Sequence, residues 1–103
     1  MEIVEFEQML QNEYGNTFIF HPAFCKEFIE SVSKSGVEKQ IIKQLLNKLH
    51  AIIHLDNVDF GMPWLERLKQ CDNMYSLHIN EGKKNFRLLY SKTKSGRIFL
   101  RIA

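Results

Sequence analysis

The stretch MYSLHINEGKKNFRLLYSKTKSGRIFLRIA, residues 74–103, decides how this chain folds. Tyr75, Leu77 and Ile79 alternate with Ser76, His78 and Asn80; Phe86, Leu88 and Tyr90 alternate with Arg87, Leu89 and Ser91; Ile98, Leu100 and Ile102 alternate with Arg97, Phe99 and Arg101. A period of two places successive side chains on opposite faces of a strand. The intervening NEGKKN and SKTKSG contain glycine and have hairpin length, so the stretch predicts a three-stranded antiparallel meander. One face of it is apolar and needs a cover.

The cover comes from upstream. Ile41, Ile42, Leu45, Leu46, Leu49, Ile52 and Ile53 form one stripe at helical period between Val37 and about His54, leaving Lys39, Gln40, Lys43, Gln44, Asn47 and Lys48 to face water. Phe24, Phe28, Ile29 and Val32 recur likewise in a preceding helix that SKSG ends. A link of about four residues makes the two an antiparallel hairpin. Before them, TFIFHPAF predicts a short strand over Thr17 to Phe20, with Pro22 fitting the first turn of the next helix. The opening residues, carrying Glu2, Glu5, Glu7 and Glu13, suit a short amphipathic helix ending near YGN or a strand-like start at EIVEF. LDNVDFGMPWLERLKQCDN, residues 55–73, reads as a connection without strong period, anchored by Trp64, Leu65 and Leu68. The expected class is α+β: an N-terminal strand, a helical hairpin, then an antiparallel meander covered on one face.

The length of 103 residues predicts one domain, with residues 1–16 as an acidic N-terminal extension that could fold over the basic face. No apolar run approaches the ~18 residues of a membrane span, and MEIVEFEQML lacks the apolar core of a signal peptide, so a cytoplasmic, membrane-free protein is expected. Cys25 and Cys71 read as isolated thiols with no disulfide framework. Charge is unevenly spread. Residues 1–81 carry seven basic and twelve acidic side chains, a net −5, whereas residues 82–103 carry seven basic and none acidic, a net +7. A local field of one sign attracts polyanions or an acidic partner.

No Gly-rich phosphate loop, nucleophile elbow or zinc spacing occurs, so no cofactor is expected. His50 and His54 are four apart on the long helix, but no third metal ligand accompanies them, and His54 suits the helix C-terminus. His78 projects from the polar face beside Arg87 if the hairpin register is conventional. A histidine can move protons near neutral pH and arginines can hold a phosphate, which suits RNA cleavage; a strand histidine simply exposed to water is the bland alternative. Lys83, Lys84, Lys92, Lys94 and Arg97 would contact RNA phosphates, or in the turns merely aid solubility. Phe99 on the same face could stack a base or simply be a partly buried aromatic.

The same residues resemble the RelE/ParE toxin superfamily, especially its HigB-like, phage-derived branch. Tyr75, Leu77 and Ile79 match the first strand of the family signature, Phe86 to Tyr90 its second, and Ile98 to Ala103 its third; the likeness covers roughly Thr17 to Ala103. It implies a type II toxin that cuts mRNA on the ribosome without metal and is neutralised by a cognate antitoxin. Arg87 occupies the position of the family's phosphate-binding arginine. His78 and Ser76 stand where relatives place lysine or arginine, so His78 would handle a proton, with Arg101 joining Arg87 in the catalytic set. The likeness stops at Ala103, before the family's usual C-terminal segment, so a truncated or degenerate toxin is the expectation. The alternative is a non-catalytic module of the same fold, a gyrase inhibitor or an RNA or protein adaptor.

Overall fold

The computed structural model describes residues 2–53, 63–68, 74–82, 84–92 and 98–102, with the side chains of Arg67 and Lys92 outside that set. Among these, three helices and five strands follow in the order α1 (Ile3–Tyr14), β1 (Phe18–Phe20), α2 (Phe24–Ser33), α3 (Glu38–Ile53), β2 (Leu65–Arg67), β3 (Met74–Glu81), β4 (Lys84–Lys92) and β5 (Ile98–Ile102). The fold is α+β. Its strands form one sheet in the order β1-β5-β4-β3-β2.

β3, β4 and β5 make the expected antiparallel meander, with His78 opposite Arg87 and Leu89 opposite Arg101. A two-residue turn joins β3 to β4, and Gly82 supplies its positive φ of 59°, which a side chain would strain. The sheet as a whole is mixed, correcting the antiparallel expectation: β1 pairs in parallel with β5, Phe18 opposite Ile98 and Phe20 opposite Leu100. A second correction falls in the region expected to be an irregular connection. Leu65–Arg67 form an edge strand antiparallel to β3, Glu66 opposite Ser76. Leu65 is buried there and Trp64 packs against the core, which is the anchoring that the sequence promised.

The core lies between the helices and one face of the sheet. Phe28, Val32, Ile41, Leu45 and Leu49 are wholly buried from the helical side, and Leu77, Ile79, Leu88, Tyr90 and Leu100 from the sheet. Fully burying each such side chain contributes about 1.5–3 kcal/mol. α2 begins at Phe24, two residues after Pro22. It ends where the Ser35 hydroxyl donates to Val32 O (2.6 Å) and accepts from Val37 N (3.1 Å), with Gly36 at φ 78° turning the chain into α3.

α1 takes the helical of its two readings, and its place differs from the imagined cover over the basic face. Phe6, Leu10 and Tyr14 recur every four residues and enter the common core, where Phe6 stacks on Phe28 with ring centroids 5.5 Å apart. The Tyr14 hydroxyl reaches Leu46 O at 3.4 Å. These acidic-flanked residues thus complete the helical layer.

α3 carries a further departure. Gln44 and Lys48, expected in water, are half-buried against β3. β3 runs past the end of β2, so its outer carbonyls need other partners. Lys48 Nζ donates to His78 O (2.9 Å) and Gln44 Oε1 (3.0 Å), while Gln44 Nε2 donates to Asn80 O (2.7 Å) and Glu81 Oε2 (2.6 Å). The Lys48 ammonium also lies 5.8 Å from the centre of the Trp64 ring. Burial holds this lysine's pKa below its ordinary value.

Candidate functional site

The face of the sheet turned away from the core cluster gathers the polar set. By register it carries Glu66 from β2, Ser76 and His78 from β3, Arg87 and Leu89 from β4, and Phe99 and Arg101 from β5. Arg87 and Arg101 are exposed, so neither guanidinium has lost its water. They are diagonal neighbours on adjacent strands, which sheet geometry separates by about 7–8 Å at the backbone.

His78 is partly enclosed, its side chain 19% accessible. Its backbone is fixed on both sides: His78 N donates to Trp64 O at 2.7 Å, and His78 O accepts from Lys48. Its Nε2 lies 3.5 Å from Glu66 Oε2. The carboxylate is 69% accessible, so the pair is a weak contributor to stability but a directional one. It turns Nε2 toward β2 and leaves Nδ1 without a partner among the described residues. A carboxylate on one nitrogen and an arginine on the neighbouring strand give the imidazole an orientation and an anion-binding companion.

The expected site residues divide. His78, Arg87 and Arg101 share this face. Lys84 is exposed but sits at the hairpin tip opposite Glu81, where strand alternation turns it to the helical side, away from Arg101. Lys83, Lys94 and Arg97 lie outside the described residues, as do the side chain of Lys92, His54 and Cys71. Ser76, which shares this face with His78, is only 6% exposed. It is short and stands between the longer Glu66 and Leu89 of the flanking strands. Phe99 is half-buried and meets His21 edge-on, centroids 6.1 Å apart.

Glu66 was missed because β2 was missed. Three residues, LER, carry no readable alternation, and only pairing with β3 brings that carboxylate to the imidazole. Among the described residues no helix is long and apolar enough to cross a membrane. No protein-family model, curated protein or solved structure matches the chain.

Proposed function

We propose that this chain is a RelE/ParE-like toxin of the HigB-like type, an endoribonuclease that cuts mRNA on the ribosome without metal and is held inactive by a cognate antitoxin. The observation that carries the reading is the cross-strand pair of His78 and Arg87, with Glu66 against His78, on the sheet face away from the core.

In this mechanism His78 takes the proton from a ribose 2′-hydroxyl. The O2′–P bond forms as the P–O5′ bond breaks, leaving a 2′,3′-cyclic phosphate, and solvent supplies the proton that the departing 5′ oxygen needs. Arg87, with Arg101 beside it, stabilises the charge that grows on the phosphate oxygens. Glu66, 3.5 Å from Nε2, holds the ring in the orientation that this proton transfer needs. Lys83, Lys92, Lys94 and Arg97 are assigned to the RNA backbone on charge alone, whereas Lys84 faces the helical side and is not.

The test is Arg87→Ala, assayed on ribosome-bound message with product ends analysed for cyclic phosphate. Removing one such charge-stabilising group should lower cleavage about 10²–10³-fold while the melting temperature stays put. Undiminished growth arrest and cleavage by a folded Arg87→Ala protein would remove this mechanism. Growth arrest with DNA damage and uncut transcripts would assign the fold to gyrase inhibition instead.

A further inference from the structure

His21 is a second imidazole at the edge of the same surface. His21 N donates to Leu100 O at 2.9 Å, which carries the β1–β5 ladder one residue past β1 and sets His21 beside Arg101. The ring cannot swing away. Its Nδ1 accepts from Ala23 N at 3.0 Å and its edge meets Phe99. Because Nδ1 is an acceptor, the neutral ring carries its proton on Nε2 and presents a donor there. A cleft of about 110 Å³ opens at this end of the sheet, lined by His21, Phe24, Glu27, Arg101 and Ile102.

His21 cannot share His78's proton work, since they stand three strands apart, roughly 14 Å at ordinary strand spacing. Arg101, by contrast, borders both places: it neighbours His21 on one side and lies diagonal to Arg87 on the other. We infer that the His21–Arg101 cleft is a phosphate subsite, binding the phosphodiester next along a single strand of nucleic acid from the one held at Arg87. Arg101 supplies the charge, His21 supplies an N–H donor from Nε2, and Phe24 and Ile102 provide the apolar walls. Glu27 opposes it: an exposed carboxylate at the cleft lowers affinity for an anion.

The inference rests on the open face being the nucleic-acid surface, but its test reads binding rather than cleavage. The probe is a short fluorescent deoxyoligonucleotide, which lacks the 2′-hydroxyl and cannot be cut, titrated by anisotropy across a salt series. His21→Asn keeps a side-chain acceptor for Ala23 N, and so preserves the turn. It is expected to weaken binding about fivefold to tenfold with the salt dependence unchanged, because a neutral contact releases no counterion. Arg101→Gln is expected to weaken binding at least as much and to reduce the log–log salt slope by about 0.7, the value of one single-strand phosphate contact. Glu27→Gln should tighten binding about twofold. Wild-type affinity in folded His21→Asn overturns the subsite, even if Arg101→Gln is weakened, since that pattern leaves Arg101 serving Arg87 alone. Loss of affinity in Glu27→Gln overturns it as well. Binding that depends on His21 and Arg101 in a protein that never cuts RNA keeps the subsite and removes the nuclease reading. Cleavage with binding indifferent to both residues does the reverse.

Discussion

Tyr75, Leu77 and Ile79 leave β3 toward the helices, while Ser76, His78 and Asn80 leave it the other way; on β4, Leu88 and Tyr90 oppose Arg87 and Leu89. The two faces come from alternate residues of the same strands under different constraints. On the covered face every position must fill space against α1, α2 and α3, so chemistry is restricted to apolar groups. On the other face packing asks less, and side chains can be chosen for charge and proton affinity. Ser76 marks the limit of that freedom, because it is 6% exposed between the flanking strands.

The contrast breaks most severely if a covered-face anchor is removed. Phe28 is fully buried and touches the rings of Phe6, Phe24 and Phe86, so Phe28→Ala should cost about 3–5 kcal/mol in urea unfolding. The exposed Arg101→Ala should stay within about 0.5 kcal/mol. Equal losses from the two would show that the faces are not separate in function. Next in size, Glu66→Gln should lower kcat about tenfold with KM little changed and stability intact, because the carboxylate acts through His78. A change confined to KM would make Glu66 a substrate contact instead.

Smaller effects sharpen where the faces meet at β3. Lys48→Met keeps the stem but leaves His78 O without its partner, and should cost about 1 kcal/mol and speed amide exchange near the end of β3. Exchange at the wild-type rate would show that α3 does not seal this edge. The smallest expected effect concerns Cys25. Burial first, and then the charge of Glu7, push its pKa up to about 11. A raised thiol pKa contributes its full stability below the ordinary value of 9.0 and loses it as pH climbs toward about 11. In a Cys71→Ser background, alkylation of Cys25 near neutral pH should be slow and stability should decline through that alkaline window. Rapid alkylation of the folded protein would contradict the burial.

Residue patterns made the covered face readable, and the reason is local. Strands β3, β4 and β5 alternate with period two, and α2 and α3 repeat at helical period, so each element announces which side it buries. The pairing of His78 with Arg87 followed from a short hairpin whose register a tight turn enforces. What stayed hidden depends on partners distant in sequence. β2 is too short for a pattern, and Glu66 went unseen with it. Gln44 and Lys48 look like solvent positions on a helical projection, and only β3's extension past β2 draws them in. His21 sits after a strand that seemed complete at Phe20, and its neighbour Arg101 belongs to the last strand described.

That last pairing carries a consequence for how the molecule is made. Among the described residues β1 finds its strand partner only in β5, and Phe18 meets Ile98 across almost the whole length of the chain. While the chain emerges from a ribosome, the helices can collapse and β3 can pair with β4, yet β1 has nothing to pair with until Ile98–Ile102 appear. The His21–Arg101 cleft therefore cannot exist on a nascent chain that lacks β5. The surface we assign to nucleic acid takes shape only after β5 has been made and paired.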